Sequence, residues 1–185
     1  MMQQHGKFAY QEGSSFQAVR LPYVGGRLGM YLILPATTSS LEKVLGDLDA
    51  GNWQNTILPR FGSREGGVIL PRFKLDYGVD LKPPLMALGM KLLFAPGSAD
   101  LSRMSAAPLY VDEVKQKSFV AVNEEGTEAA AVTVGTVAVT SVHQPQKPFE
   151  MIVDRPFLFL ICDNQSKVIL FMGLVFEPRA GEQPP

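Results

Sequence analysis

The chain is 185 residues long, which corresponds to about one domain on the usual prior of roughly 150 residues per domain. Hydrophobic residues make up 46% and charged residues 19% of the sequence, so the composition excludes a disordered tail or a coiled coil and predicts a packed core. Seventeen basic and eighteen acidic side chains give a net charge of -1, which argues against nucleic acid or an anionic membrane surface as a partner.

Cysteine usage and the N-terminal residues bound the class of protein further. With one cysteine, Cys162, no internal disulfide can form, and no group of cysteine and histidine has the spacing of a zinc site. The longest apolar or glycine run, residues 168–176, is far shorter than the roughly 18 residues that cross a bilayer. No signal-peptide pattern is present, and residues 7–10 already alternate as in a strand, so the chain is expected to begin inside structure, as a fragment would.

The first third of the chain predicts a β-hairpin. Residues 16–21 and 28–34 are its two strands, and the turn lies at Gly25 and Gly26. Because the second strand is nearly all apolar, we expect it to be buried on both faces.

Two helices are expected next. Ser39 and Glu42 have the spacing of a capping box, and apolar residues recur at helical spacing over residues 41–48. A second, short helix over residues 53–58 is expected to end at Pro59, which cannot continue a helix.

The middle of the chain predicts one strand and one further helix. Residues 68–75 form the strand, in which Pro71 indicates an edge position or a bulge because proline cannot donate to a ladder. Asp80 is the expected cap of a helix that continues through Leu92 and is ended by Pro96.

The last third is dominated by strands. They are expected at residues 110–122, 149–153, 157–162 and 169–176, with the last two joined in a hairpin at Asp163. A polar stretch near the beginning of the strand at residues 110–122 leaves the residue at which this strand starts undecided. No internal repeat or linker is visible, so the chain is predicted to be an α+β domain with dominant strands and two or three helices.

Candidates for enzyme chemistry are few and isolated. His5 and His143 lie in polar, loop-like contexts without a nucleophile turn, and Cys162 ends an apolar strand, which is typical of a buried hydrophobe. Residues 47–52 superficially resemble a calcium loop but lack its fifth ligand and late glutamate, which favours a helix end and a turn. The Gly66-Gly67 pair is interpreted as a turn. We therefore expect no catalytic residue, no metal and no cofactor.

One segment is unusual. Residues 129–142 carry no charge, no proline and no side chain larger than valine, although both flanks are polar. Such a segment has a high propensity for strands and could enter a sheet without needing a deep pocket.

Residues 123–131 read Asn-Glu-Glu-Gly-Thr-Glu-Ala-Ala-Ala, and at this point the sequence resembles the serpins, protease inhibitors that work by loop insertion. Other blocks follow the order of that family: Leu-Pro-Arg-Phe-Lys-Leu at 70–75, Asp-Leu at 80–81, Leu-Gly-Met at 88–90, Ala-Asp-Leu-Ser at 99–102, Asp-Arg-Pro-Phe-Leu-Phe-Leu-Ile at 154–161 and Ile-Leu-Phe-Met-Gly at 169–173. The resemblance covers residues 1–178 and leaves 179–185 as a tail. It implies the C-terminal half of a serpin domain, with mostly antiparallel sheets, an exposed reactive-centre loop at about residues 124–145, and the helical N-terminal half absent.

The resemblance also implies a suicide-substrate mechanism. A protease attacks one bond of the loop, and the acylated loop then inserts as a new central strand. The hinge residues that match the family are Glu125, Gly126, Thr127, Glu128, Ala129, Ala130 and Ala131. Because side chains alternate along a strand, one face of the inserting segment would carry only small residues, namely Thr127, Ala129, Ala131, Thr133, Gly135 and Val137. The alternative is an ordinary edge strand with its turn.

Counting along the loop as in the family places the scissile bond between Thr140 and Ser141, with Val139 or Ala138 left open because the following stretch is slightly short. A small uncharged residue leaves the buried carboxylate of a trypsin-like pocket unpaired, which favours an elastase-like serine protease as the target. The resemblance implies an extracellular location.

Two departures from the family pattern bear on function. Gln116 occupies the place of a histidine that usually locks the central sheet, so the gate that controls loop entry is expected to differ. The missing half leaves a sheet edge unpaired and an apolar face uncovered. We therefore expect instability or self-association unless a companion N-terminal half or a second copy supplies the pairing.

Two functions follow. The first is inhibition of a serine protease by an intact domain, the fragment alone being inactive. The second is a non-inhibitory module that assembles by inserting its loop or a strand into another copy.

Overall fold

In the computed structural model, the described residues are 1–124 and 147–178. The expected hinge, scissile bond, His143 and tail lie outside these ranges. The chain divides into two compact units, one formed by Met1–Phe73 with Val122–Pro185 and the other by Lys74–Ala121.

Nine strands are found in the described residues. In chain order they are β1 (Met2–Glu12), β2 (Phe16–Pro22), β3 (Leu28–Pro35), β4 (Gly62–Leu70), β5 (Phe73–Asp80), β6 (Lys115–Val122), β7 (Phe149–Ile152), β8 (Phe157–Asp163) and β9 (Ile169–Val175). Seven of them form one sheet in the order β7-β4-β1-β2-β3-β8-β9, while β5 and β6 form a two-stranded sheet. Within the large sheet β4 and β7 are parallel and the other neighbouring pairs are antiparallel. The expected α+β, mostly antiparallel fold is confirmed.

The predicted hairpin is confirmed by β2 and β3. Gly25 and Gly26 adopt φ of +81° and +69°, a region that L side chains rarely enter, which explains why glycines form this turn. Residues 30–34 of β3 are all buried, with exposed fractions of 4% or less on both faces. The turn after β8 also lies where the sequence placed it.

The first helix, α1 (Leu41–Asp47), is capped one residue later than the sequence predicts. The hydroxyl of Ser40 accepts a hydrogen bond from the amide of Lys43 at 3.3 Å. Ser39 instead belongs to the preceding turn, because its own amide donates to the Ala36 carbonyl at 2.9 Å. The predicted capping box of Ser39 with Glu42 is therefore wrong.

The second helical segment is longer than expected. It begins with α2 (Ala50–Asn52), continues as a π-helical turn (Trp53–Ile57) and ends as a 3-10 turn (Leu58–Arg60). Pro59 does not stop it, because proline in the first turn of a helical element has no intrahelical partner to lose. Residues 47–52 run from the end of α1 into the start of α2, rather than into the expected turn, and Asp49 Oδ1 accepts a hydrogen bond from the Asn52 amide at 2.7 Å.

These helical elements cover one face of the large sheet. The buried side chains of this core are Ala18, Tyr31, Ile33, Leu41, Val44, Trp53, Ile57, Leu158, Leu160 and Cys162. Burial raises the pKa of the Cys162 thiol to about 12, which agrees with the reading of this residue as a buried hydrophobe. None of the helices in the described ranges is long and apolar enough to span a membrane.

The strand predicted over residues 68–75 is two strands, β4 and β5, with Pro71 between them. The Gly66-Gly67 pair is not a turn but lies in the middle of β4, where it pairs with β1. A Cβ built at Gly66 would overlap the ring and carbonyl of Phe149, and one at Gly67 would lie 2.8 Å from the His5 ring. His5 lies in β1 rather than in a loop.

The second unit differs most from the sequence predictions. Its helix, α3 (Lys82–Ala87), ends well before Leu92, and Gly89 with φ of +102° terminates it. Asp80 does accept a hydrogen bond from the Lys82 amide at 2.9 Å, but Leu81 is the N-cap. β6 starts at residue 115 rather than 110, and just before it the carbonyl of Val114 accepts a hydrogen bond from the Leu81 amide at 2.7 Å.

Candidate functional site

The candidate site consists of the two points where residues 125–146 join the described structure. At the upstream point, Glu124 follows β6 and is held by Arg72, which follows β4. The Nε atom of Arg72 lies 2.8 Å from both carboxylate oxygens, and Nη2 lies 2.6 Å from Oε1. This forked arrangement fixes the direction of the glutamate as well as its charge.

The ion pair at the upstream point is open to solvent. The side chains of Arg72 and Glu124 are 55% and 51% exposed. Hydrogen bonds from Arg72 hold the pKa of the Glu124 carboxyl below its usual range, and Glu124 in turn raises the pKa of Arg72. Both groups are therefore charged at neutral pH, while water and salt screen their attraction.

A cavity of about 310 Å³ lies beside this ion pair within the first unit. It is lined by Met2, Gln3, Gln4, Leu21, Val68, Leu70 and Glu124. Its lining therefore combines four apolar side chains with two amides and the Glu124 side chain.

The downstream point is an aromatic cluster. Phe149, the first residue of β7, is 4% exposed and stacks on Tyr10 with ring centroids 3.8 Å apart and an interplanar angle of 11°. The Phe149 and Phe8 rings pack edge to face, with their centroids 5.9 Å apart. The parallel pairing of β7 with β4 sets Phe149 opposite Gly66, and the missing Cβ of this glycine leaves room for the ring.

A polar network surrounds the aromatic cluster. Arg64 of β4 pairs with Glu12 at 3.2 Å, lies 5.3 Å from the centre of the Tyr10 ring and donates to the Lys147 carbonyl at 3.4 Å. The Tyr10 hydroxyl donates to Glu12 at 2.6 Å. Burial and this carboxylate raise the pKa of Tyr10 well above its usual value, while the hydroxyl holds the pKa of Glu12 low.

Both attachment points are thus supported from β4 and the residues after it. Arg64 and Arg72 are eight positions apart, or roughly 26 Å along an extended chain. The 22 residues 125–146 could reach about 73 Å if fully extended. The extended length of the segment is therefore about three times that of the chain between the two arginines.

The sequence led to the position of this site but not to the residues that hold it. It identified Gln116, which lies exposed on β6 with its amide 3.4 Å from the Ser118 hydroxyl. It missed Arg64, Tyr10 and the pairing of Arg72 with Glu124. The one signal in the sequence was an outward-facing charge at residue 72 and an acidic pair 52 residues later. This signal is too weak to predict that these side chains bond to each other.

Comparisons with known proteins agree with the family resemblance of the sequence. The family model described as Serpin (serine protease inhibitor) matches residues 1–178. An uncharacterized serpin-like protein from Thermococcus kodakarensis is 40% identical over 98% of this chain and 42% of its own length. The leukocyte elastase inhibitors of Equus caballus and Homo sapiens are 40% and 39% identical, each over 96% of this chain and 48% of their own length.

Solved structures show the same relation. A thermophilic serpin, tengpin, in the native state superposes with a TM-score of 0.72 and 28% identity over 95% of this chain and 45% of its own. A serpin from the trematode Schistosoma haematobium superposes with a TM-score of 0.78 and 27% identity over 96% of this chain and 46% of its own. The chain spans less than half the length of these relatives. Its sequence blocks in the order of the family, its sheet and the match to the family model establish that it belongs to the serpin family.

Proposed function

We propose that this chain carries the reactive loop of a serine protease inhibitor that acts as a suicide substrate. The loop is residues 124–145, the hinge is Glu125 to Ala131, and the scissile bond is Thr140-Ser141. Inhibition requires a complete domain, and the 185-residue chain alone is expected to be inactive. The observation that carries the proposal is the pair of anchors, which fix the two ends of a segment that is long compared with the stretch of chain from Arg64 to Arg72.

The strand that precedes the loop supports this function. β6 runs directly into Asn123 and Glu124, and among the described residues it pairs only with β5. A segment that folds back at Gly126 could therefore add to β6 as an antiparallel neighbour. The backbone groups along such an edge are ready to pair with an incoming strand.

The proposed target is an elastase-like protease. The residue offered to the protease is threonine, or valine or alanine in the alternative registers, and a small apolar pocket accepts each of them. The relatives named as leukocyte elastase inhibitors are consistent with this choice. A trypsin-like pocket would leave its buried carboxylate unpaired.

The decisive experiment uses a complete domain, made by co-expressing this chain with the N-terminal half of a related serpin. Incubation with an elastase-like protease should give an adduct that survives denaturing electrophoresis, with the new N-terminus at Ser141. Cleavage without an adduct would contradict the proposal, and cleavage elsewhere would contradict the register. Thr140→Arg should shift inhibition towards a trypsin-like protease.

Alternation along the loop provides a matched pair of variants. Ala131→Glu places a charge on the face that would be buried on insertion, and burying an unpaired carboxylate is costly. Ala130→Glu places the same charge on the opposite face. The first variant should be cleaved without forming an adduct, whereas the second should keep most of the inhibition. Equal loss in both would argue against insertion in this register.

A second candidate function is assembly with another copy, and β9 favours it. Among the described residues β9 is an edge strand of the large sheet, and it has no charged residue to prevent pairing. Leu170, Phe171 and Met172 on β9 are 48%, 47% and 59% exposed. Concentration-dependent oligomers of the chain that dissociate in Leu170→Lys but not in Val24→Lys, a substitution in the β2-β3 turn, would favour this candidate. A chain that stays monomeric at high concentration would exclude it.

A further inference from the structure

The beginning of β4 carries an exposed serine between two arginines. Residues 60–65 read Arg-Phe-Gly-Ser-Arg-Glu, with Arg60 at the end of the 3-10 turn and Ser63 at the second position of β4. Both of these side chains are exposed. The backbone of Ser63 pairs with Ala9 of β1, whereas its hydroxyl has no hydrogen-bond partner in residues 1–124 and 147–178. The fold therefore makes no use of this hydroxyl.

The chain around Ser63 is open along one edge. β1 pairs with β4 from Gly62 onwards, whereas β7 pairs with it only from Gly66. Within the described ranges, residues 62–65 therefore have a neighbouring strand on one side only. The end of a strand with a single neighbour opens at a low cost in free energy. A modifying enzyme could thus bind this segment in extended form without unfolding the sheet.

A cavity of about 390 Å³ lies beside the serine. It is lined by Tyr10, Gln11, Glu12, Gly13, Ser14, Ser15, Phe16, Arg60, Gly62, Ser63 and Arg64. The one carboxylate in this lining, that of Glu12, accepts from the Tyr10 hydroxyl at 2.6 Å and pairs with Arg64 at 3.2 Å. Two guanidinium groups therefore stand against one carboxylate, so the cavity has an excess of positive charge.

The two arginines of this cavity differ in how firmly they are held. The side chain of Arg60 forms no ion pair or hydrogen bond in the part of the chain that the structure describes. Arg64 is held by Glu12, and its bond to the Lys147 carbonyl is 3.4 Å long, beyond the usual range for an N–H···O bond. A new anion would find one free guanidinium and a second with a weak bond to displace.

We propose that Ser63 is a phosphorylation site for a kinase that recognises the arginine three residues before the serine. The Ser63 Oγ atom attacks the γ-phosphorus of ATP, the bond from that phosphorus to ADP breaks, and the hydroxyl proton passes to the catalytic aspartate of the kinase. The phosphate, with a charge of about -1.5 to -2 at neutral pH, then pairs with Arg60. It also draws Arg64 away from the Lys147 carbonyl, which loosens the downstream attachment of residues 125–146.

Phosphate transfer tests the site directly and does not depend on protease inhibition. The chain, in complex with its companion half where that half is present, is incubated with ATP and a calcium/calmodulin-dependent serine kinase. Mass spectrometry of its peptides should place the phosphate on Ser63. Ser118 is the internal control: Lys115 precedes it by the same three positions, but it lies within β6 and its hydroxyl accepts from Gln116 at 3.4 Å. Phosphate on Ser118 alone, or on neither serine, would overturn the proposal.

Two exposed charges near the serine show which one the kinase reads. Arg60→Gln should lower the rate of phosphorylation at least about tenfold, because the charge-assisted bonds to the kinase are lost. Glu65→Gln, two residues after the serine, is the matched control and should leave the rate unchanged. The opposite order would refute recognition through Arg60. A peptide of residues 56–69 that is phosphorylated when the folded chain is not would refute the site, because the fold would then close it.

Hydrogen exchange tests the effect on the downstream attachment. Protection of the amides of residues 149–151 should fall at least about threefold after phosphorylation, because Arg64 no longer holds the Lys147 carbonyl. Treatment with a phosphatase should restore it. Ser63→Ala carried through the same incubation should keep the parent's protection. Unchanged protection in the phosphorylated chain would refute the competition for Arg64.

Discussion

The two ends of the proposed loop are attached by different physical means. The downstream end is held by the buried Phe149 ring, stacked on Tyr10 and surrounded by the bonds of Arg64. The upstream end is held by the half-exposed pair of Arg72 and Glu124. Burial of aromatic surface is not weakened by charge screening, whereas an exposed ion pair is. The downstream end is therefore part of the core, while the upstream end can be released without unfolding the sheet.

Phe149→Ala tests the stronger attachment and should have the largest effect on stability. Removing a buried phenylalanine typically costs about 3–5 kcal/mol, through lost burial and the cavity left beside Tyr10. Denaturant unfolding should show this loss. Phe176→Ala, at a ring that is 62% exposed, is the control and should change stability by about 0.5 kcal/mol or less. Equal effects would mean that Phe149 is not an anchor.

Gly66→Ala tests the close approach of β4 to the Phe149 ring. A Cβ there overlaps the ring and its carbonyl, so either β7 or the ring must move. The expected cost is about 1–3 kcal/mol, measured by thermal or denaturant unfolding. Gly62→Ala in the same strand has open space around the new Cβ and serves as the control. A neutral result at Gly66 would show that β7 shifts freely.

Tyr10→Phe separates the ring from its hydroxyl. The substitution keeps the stack on Phe149 and removes the 2.6 Å hydrogen bond to Glu12, which remains paired with Arg64. We expect a loss of about 0.5–1.5 kcal/mol, well below that of Phe149→Ala. Tyr77→Phe, at a side chain that is 60% exposed, should have no measurable effect. A loss as large as that of Phe149→Ala would mean that the hydroxyl, not the stack, holds this end.

Much of the fold was predictable because its signals are local. The Gly25-Gly26 turn needs positive φ, and the apolar run of β3 needs burial on both faces, so both could be read from the sequence. The ends of helices were less predictable. Ser39 and Ser40 are equally good caps by type, and only the bond from the Ser39 amide to Ala36 decides between them.

The features that could not be predicted from the sequence depend on residues far away along the chain. Gly66 and Gly67 are typical of a turn until Phe149 and His5 occupy the space beside them. The bond between Arg72 and Glu124 likewise joins residues 52 positions apart, and no sequence period connects them. The hinge motif of the sequence therefore predicts where the proposed loop lies, whereas the contacts at its two ends are visible only in the structure.

Arg72→Gln tests the weaker attachment, and its effect on global melting should be the smallest of the series. The amide keeps hydrogen-bonding ability but loses the charge and the fork that hold Glu124. We expect faster hydrogen exchange at residues 123–124, with exchange around Phe149 unchanged. Arg103→Gln is the matched control. High salt should reproduce the effect in the parent protein and add little in the variant.

The same attachment should weaken in acid. Because Arg72 lowers the pKa of Glu124 in the folded protein relative to an unfolded value of about 4.3, the pair contributes fully above that value. Its contribution declines as the pH falls from there and is lost below the folded pKa, when the carboxyl is protonated in both states. The protection of the amides of residues 123–124, which is the intrinsic exchange rate divided by the observed rate, should therefore fall in the parent protein between neutral and strongly acidic pH. In Glu124→Gln this protection should already be low at neutral pH and should show no such further fall. If the ratio of the exchange rates of residues 123–124 in the parent protein and in this variant stayed constant with pH, hydrogen bonds of the backbone, rather than the ion pair, would hold the upstream end.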